Sequence, residues 1–288
     1  MAVVNTNIGA SLAQASLMKN ERALGTAMEQ LSTGKKINSA GDNAAGLAIS
    51  SRMTSQIRGL GAAISNANDA ISMINTAEGA LDEITNMLQR MRELAVQAGT
   101  GTTDSADRTY LNSEFSALRT EIDRIVDNTQ WNGRNILDGS AGASTGASTV
   151  AFQIGQDGVK TQTLSTSFGN FNNTTGKLSG LASKVITGTT IASAVNMASK
   201  SITEIDVVIG DVSAQRATFG AVSNRLAHAV DNLTNVKTNS EAARSRILDT
   251  DYAAATSELS RTQIIQQAAT AMLAQANALP QTVLALLQ

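Results

Sequence analysis

Few residues of this 288-residue chain have side chains that could carry out chemistry. The only histidine is His228, followed three residues later by Asp231, and the chain has no cysteine. A zinc site needs several nitrogen or sulfur ligands, and no second histidine, HExxH motif or cysteine pair completes one. We therefore interpret His228 and Asp231 as ordinary residues of a solvated helix surface. Neither a metal site nor a cofactor is expected.

A short serine motif of the G-x-S-x-G type is formed by Gly142, Ser144 and Gly146. In hydrolases this motif places a nucleophilic serine between a buried strand and a helix. Here it lies in a low-complexity run of Gly, Ala, Ser and Thr without a good strand before it, so we interpret the match as chance. The chain also lacks the glycine-rich loops that bind phosphate groups. The sequence therefore predicts that the protein is not an enzyme.

The composition gives no sign of a nucleic acid or an anionic membrane as partner. The net charge is −2, and the lysines and arginines are scattered along the chain. Aromatic residues make up only 3% of the sequence, and a single proline stands against 22 glycines, which favours long helices that pack through small residues. Residues 1–18 have no basic segment before their apolar residues, so we do not predict a secretory signal peptide.

The two ends of the chain are predicted to form uncharged amphipathic helices. Residues 1–18 and 262–288 contain no Asp, Glu, Lys or Arg, and their large apolar residues recur at helical spacing. These residues are Val4, Ile8 and Leu12 at one end, and Ile265, Met272, Leu279, Val283 and Leu286 at the other. The C-terminal stretch is too polar to span a membrane. Because it has nothing downstream to pack on, we expect it to pair with the N-terminal helix.

Between these ends the sequence predicts a rod of long helices. Apolar residues alternate in steps of four and three from Ile57 to Ala98 and again from Ile191 to Leu233, which is the heptad pattern of coiled coils. The stretch GTGTTD at 99–104 breaks the first helix. Alternating apolar residues at 150–154 and a return at 160–164 predict a hairpin. The fold class is therefore mainly α, a long antiparallel coiled-coil or helical-bundle rod with paired terminal helices and a small β-hairpin region in the middle.

The order of these elements predicts domains built from discontinuous segments. Residues 1–42 and 246–288 are expected to form a terminal-helix domain. Residues 43–139 and 186–245 are expected to form the helical rod, and residues 140–185 a weakly cored surface region. Asp42 is predicted to cap the start of the second helix, because a short carboxylate accepts hydrogen bonds from the first amides of a helix.

Several longer motifs resemble those of bacterial flagellin. They are MEQLSTGKKINSAGDNAAGLAI at 28–49, LQRMRELAVQ at 88–97, TQWNG at 129–133, and the closing QQA with LAQAN at 266–277. The resemblance covers roughly residues 1–140 and 185–288 and leaves only a short variable region. It implies a minimal flagellin, the extracellular structural subunit of the filament used for swimming. The apolar residues of the terminal helices would then carry self-assembly into an open helical homopolymer.

The same resemblance implies further partners. Flagellins are exported unfolded by the flagellar type III apparatus, with an export chaperone on the C-terminal tail, and they contact filament cap and hook-junction proteins. Animals sense many flagellins through Toll-like receptor 5, and the matching residues here are Gln89, Arg90, Glu93, Leu94 and Glu114. Cytosolic sensing uses C-terminal residues matched by Val283, Leu284, Leu286 and Leu287. The chain departs from some relatives in ending with Gln288 instead of arginine.

Three alternatives remain beside the filament subunit. A hook–filament junction protein shares the terminal helices and the heptad rod, although the motifs at 88–97 and 129–133 favour flagellin. A flagellin-like enzyme with a protease in its variable region is disfavoured, because that region is short and contains no histidine. A non-flagellar secreted coiled-coil adhesin has no need of uncharged helices at both ends.

Overall fold

A computed structural model describes residues 7–142, 148–156, 162–188 and 190–285, with the side chains of the last helix described as far as residue 278. Within these ranges there are five α-helices and two small antiparallel hairpins. The helices are α1 (Ile8–Thr33), α2 (Ala44–Ala98), α3 (Ser105–Asn128), α4 (Ile191–Leu248) and α5 (Tyr252–Ala285). The strands are β1 (Gln130–Trp131), β2 (Arg134–Asn135), β3 (Thr149–Gln153) and β4 (Thr163–Ser167). A 3₁₀ turn covers Ser179–Leu181. The predicted fold class is confirmed.

The connection between α1 and α2 shows how local sequence ends one helix and begins the next. Gly34 has a φ of 68° and donates its amide to the carbonyl of Gln30, a left-handed helix end that suits glycine. The prediction that Asp42 caps α2 is wrong by one residue, because Asn43 Oδ1 accepts the amide of Gly46 at 2.8 Å. Asp42 instead accepts the amides of Asn38 and Ser39 at 3.0 and 2.8 Å and closes the loop.

The hairpins follow their turn chemistry. Between β1 and β2, Asn132 and Gly133 have φ angles of 50° and 75°, which is the geometry of the tight type I′ hairpin turn. The second hairpin pairs Thr149 with Ser167 and Gln153 with Thr163. Its return strand therefore begins at Thr163 and not at residue 160 as the sequence pattern suggested.

The chain divides into two compact units, one of Met1–Ile57 with Thr238–Gln288 and one of Arg58–Lys237. Both boundaries fall within helices, α2 and α4. The core of the second unit is built from the heptad faces of α2 and α4 together with one face of α3. Its largest fully buried side chains include Ile74, Leu81, Ile84, Leu88, Met91, Phe115, Ile122 and Phe219. The finer division into three domains made from the sequence stays a prediction.

The middle segment contributes more to this core than its composition suggested. Phe168 and Phe171 are each 0% exposed, and the ring of Phe168 lies 5.2 Å from that of Phe219 on α4. Gln215 on α4 donates to the carbonyl of Ser167 at 2.7 Å. The expectation of a weakly cored surface region is therefore wrong. The segment has few large apolar residues, but these point inward, and the abundant Ser, Thr, Gly and Asn concealed them.

No helix in the described ranges is both long enough and apolar enough to cross a membrane.

Candidate assembly and recognition surfaces

The terminal helices α1 and α5 pack against each other in antiparallel orientation, as predicted. Asn20 Nδ2 donates to the carbonyl of Thr262 at 2.8 Å and to Gln266 Oε1 at 3.0 Å. Thirteen residues earlier in α1, Asn7 Nδ2 donates to the carbonyl of Ala276 at 2.8 Å. Because the earlier α1 residue contacts the later α5 residue, these bonds define the antiparallel alignment of the two helices.

The contact between α1 and α5 uses mostly small side chains, and we call the residues that line it the seam. On both helices the more buried residues recur in steps of three and four, which indicates coiled-coil packing. The α1 seam is Ala10, Ala13, Leu17, Asn20, Leu24, Ala27 and Leu31, and the α5 seam is Ala255, Leu259, Thr262, Gln266, Ala269, Leu273 and Ala276. Alanine at these positions lets the two backbones approach closely.

The large apolar residues chosen from the sequence do not lie in the seam. Ile8 and Leu12 on α1 are 66% and 69% exposed, and Ile265 and Met272 on α5 are 40% and 65% exposed. Ile264 is also exposed, at 66%. Sequence reasoning predicted the pairing but did not identify the faces that make it, and the assignment of these exposed residues to filament assembly stays a prediction.

The remaining predicted assembly and cytosolic-sensor residues lie at or beyond the limit of the description. Val4, Leu286 and Leu287 fall outside the described residues. Leu279, Val283 and Leu284 belong to α5, but their side chains are not part of the description.

The base of the terminal helix pair is closed by a short backbone bridge between two connectors. The amide of Lys36 donates to the carbonyl of Leu248 at 2.7 Å, and the amide of Thr250 donates to the carbonyl of Gly34 at 3.0 Å. This bridge ties the α1–α2 connector to the α4–α5 connector. A side chain at Gly34 would begin 2.8 Å from the hydroxyl of Tyr252, so the site excludes other residues both by its φ angle and by space.

A second surface is formed where α2 and α3 run side by side. Arg90 on α2 donates through Nε to Glu114 Oε1 of α3 at 3.0 Å, and through Nη1 to Glu93 Oε2 at 3.0 Å. The hydrogen bond that Arg90 donates to Glu114, and after it the one donated to Glu93, raises the pKa of the Arg90 guanidinium. All three side chains remain about half exposed or more, so this charge cluster is available to a partner.

The other two predicted receptor residues, Gln89 and Leu94, differ in solvent exposure. Gln89 lies exposed on α2 beside Arg90. Leu94 is only 1% exposed and belongs to the core beneath the cluster. This geometry does not support its predicted role as a contact residue. Leu94 lies four residues after Arg90, but its side chain is on the part of the α2 surface that is turned toward the core. Leu94 instead supports the helix from below.

Arg108 is a buried residue that sequence reasoning missed. It is 2% exposed and donates through Nε to the carbonyl of Ala98 at 3.1 Å and through Nη2 to that of Thr100 at 2.9 Å. Its positive charge therefore lies at the C-terminal end of α2, where unpaired carbonyls carry partial negative charge. In the sequence it reads like any exposed arginine in the first turn of α3.

Two of the residues first considered for chemistry lie on a solvated helix surface. His228 and Asp231 lie exposed on α4. The part of the chain that the structure covers contains no group of three or more His, Cys, Asp or Glu able to hold a metal ion. Ser144 lies outside the described residues.

Comparison with known proteins places these features in a family. The model of the bacterial flagellin N-terminal helical region matches residues 4–142, and that of the flagellin C-terminal helical region matches residues 202–287. A flagellin of Halalkalibacterium halodurans is 43% identical, with 99% of this chain and 100% of that protein aligned. Flagellin A of Vibrio cholerae is 36% identical over an alignment of 375 residues that covers 99% of each protein. The present chain has 288 residues and is therefore shorter than that alignment.

A solved structure described as a flagellar hook-associated protein of Vibrio parahaemolyticus superposes with a TM-score of 0.59. It covers 72% of this chain and 100% of that one at 14% identity, so it shows a shared fold and does not separate a filament subunit from a junction protein. The near full-length identities above 35% make that separation. The chain belongs to the bacterial flagellin family of filament structural subunits, as a small member.

Proposed function

We propose that the chain polymerises with copies of itself into the helical flagellar filament outside the cell, driven by the outward residues of its terminal helices. The observation that supports this is the exposure of large apolar side chains on the outward faces of α1 and α5. The seam is filled by alanines, leucines and three polar residues, while Ile8, Leu12, Ile264 and Met272 are each more than 60% exposed. Burying one such side chain contributes roughly 1.5–3 kcal/mol, so covering these faces by neighbours is strongly favourable.

The packing implied is heterologous. The outward residues of α1 and those of α5 are different surfaces, and joining unlike surfaces head to tail generates an open helix instead of a closed ring. Neither face carries a charged residue within residues 1–18 or 262–288, so no charge has to be desolvated when neighbouring tails come together.

Two kinds of variant test this assembly. Deletion of residues 262–288 should leave the rod helical by circular dichroism and abolish polymerisation. More selectively, Met272→Asp should prevent pelleting of filaments, because a carboxylate would be buried without a partner. The matched control Gln267→Glu places a charge at another exposed position of α5 and should polymerise more readily than Met272→Asp. Filaments of normal length from the deletion or from Met272→Asp would refute the proposal.

Export and its partners form a further part of the proposal. The same exposed faces of α5 need covering before assembly, which suits an export chaperone on the C-terminal tail and passage through the flagellar type III apparatus in an unfolded state. Filament cap and hook-junction proteins would contact the terminal helices at the two ends of the polymer. Electron microscopy of the purified chain separates a filament subunit from a hook-junction protein, because only the former forms long filaments unaided.

The α2–α3 surface is proposed as the site where Toll-like receptor 5 recognises the monomer. Support comes from the grouping of Arg90, Glu93 and Glu114 around one guanidinium, with Gln89 exposed on the same helix. Arg90→Ala should lower receptor activation by the monomer at least about tenfold, since a hydrogen-bonded charge at an interface is worth about 1.4 kcal/mol or more. Arg124→Ala, which removes an exposed arginine paired with Glu121 on α3, is the control and should not change activation.

Cytosolic sensing through the C-terminal residues is proposed on sequence grounds alone. It is tested by Leu284→Ala and Leu287→Ala in a cytosolic-sensor assay. Those variants should weaken sensing while leaving activation through the α2–α3 surface unchanged, because neither substituted residue belongs to α2 or α3.

A further inference from the structure

The α1–α5 seam contains one buried polar layer, formed by Asn20, Thr262 and Gln266. Asn20 is 8% exposed and Thr262 1% exposed. Asn20 Nδ2 serves both the Thr262 carbonyl and Gln266 Oε1, and Gln266 Nε2 reaches Glu21 Oε1 at 3.5 Å. All other seam residues on both helices are alanine or leucine.

This composition makes the alignment of the two helices depend on the polar layer. Alanine and leucine layers tolerate a shift of one heptad, because each would again meet alanine or leucine. Such a shift would set Asn20 against Ala269 and Leu273 in one direction, or against Ala255 and Leu259 in the other. In either case Asn20 Nδ2 loses the side-chain acceptor Gln266 Oε1 and keeps only a backbone carbonyl within reach, and the loss of one such hydrogen bond disfavours a state by about twofold to tenfold.

We propose that the polar layer fixes the axial register of the α1–α5 pair, with Asn20 as its positioning residue. The backbone bridge at Gly34 and Thr250 restrains the base of the pair, so a heptad shift requires this bridge to open, and the polar layer adds a second restraint about 20 Å farther along α1 at 1.5 Å per residue. A single polar group buried in an apolar helix interface is a known way to specify register at some cost in stability.

The register matters for the outward residues. A heptad shift would displace Ile264 and Met272 by about 10 Å relative to Ile8 and Leu12. Neighbouring copies would then meet a different surface. This consequence rests on the proposed self-assembly, whereas the register itself is a property of one chain.

The chain has no cysteine, so a pair of spin labels reads the register directly. Ser11→Cys and Ser257→Cys, at exposed positions of α1 and α5 that lie about 24 Å apart along the helix pair, carry the labels, and the distance is measured by double electron–electron resonance on the unassembled chain. Trimethylamine N-oxide is added because it favours the buried state. We expect one narrow distance in the native sequence. In the Asn20→Leu, Gln266→Leu variant a second population, displaced by about 10 Å, should reach a comparable share.

A matched control separates register from stability. Leu24→Ala removes apolar burial from the same seam and should lower the helical content while keeping a single distance. The double-leucine variant should instead keep or raise its helical content and slow seeded filament growth about twofold, since a shifted population of comparable share halves the fraction of correctly aligned chains.

Two results would overturn the proposal. One is a single native distance in the double-leucine variant, and the other is a broad distribution in the native sequence. Failure of the native chain to polymerise would reject the proposed function but not the register, because the distance is read on single chains.

Discussion

Replacing Arg108 tests whether a buried arginine holds the α2–α3 turn. Arg108→Met keeps the length and most of the volume of the side chain but removes its hydrogen bonds to the carbonyls of Ala98 and Thr100. A hydrogen bond to a charged group contributes about 1.5–3 kcal/mol, so the two bonds together contribute about 3–6 kcal/mol. Part of this is offset because methionine avoids the cost of burying a guanidinium. We expect a net loss of about 2–4 kcal/mol in the free energy of unfolding.

Urea denaturation followed by circular dichroism measures this loss. With a slope of about 2 kcal/mol per molar urea, the midpoint should fall by about 1–2 M. Arg124→Met on the same helix is the control, because Arg124 is exposed and pairs only with Glu121, and it should leave the midpoint unchanged. The reasoning is refuted if the two variants have equal midpoints, since the structure distinguishes them only by burial and by the carbonyls they contact.

Three further predictions concern other parts of the fold. Phe168→Ala should lower the free energy of unfolding by about 3–5 kcal/mol in the same assay, because a fully buried ring against Phe219 is lost; a loss below 1 kcal/mol would show that the middle segment is not part of the core. Gly34→Ala should cost about 1–2 kcal/mol by calorimetry because φ is 68° there and Tyr252 is in the way, and a neutral result would contradict that backbone geometry. The amides of Ser39 and Asn38 hold the pKa of the Asp42 carboxyl below its ordinary 3.8. The contribution of Asp42 to the free energy of unfolding should therefore be complete above pH 3.8 and be lost as the pH falls through the lower pKa of the folded state. An NMR titration of this carboxyl with a midpoint at or above 3.8 would contradict this.

The long helices could be predicted from the sequence because their signals are periodic and repeated. Heptad spacing predicted α2 and the greater part of α4, and the alternating apolar residues at 150–154 predicted the hairpin of β3 and β4. Helix ends were less certain, since Asp42 and Asn43 are both good capping residues and only the loop geometry decides between them.

The candidate surfaces were predicted less completely, for two physical reasons. Residue type does not reveal which side of a helix is covered, so Leu94 was taken for a contact residue although it faces the core. Size is also a poor guide where close approach matters. The seam of α1 and α5 contains alanines such as Ala13 and Ala269, whereas large residues such as Ile8 and Met272 lie on the outward faces.

This outward placement of large side chains has a thermodynamic consequence. A surface that is covered only by another copy gains its free energy by mass action, so its stabilisation rises with the logarithm of subunit concentration. Melting of the terminal helix pair should therefore move to higher temperature as the protein is concentrated. Melting of the unit formed by Arg58–Lys237, whose apolar residues are buried within one chain, should stay where it is. Filament length and the stability of the terminal helix pair would then both depend on the same association equilibrium between subunits.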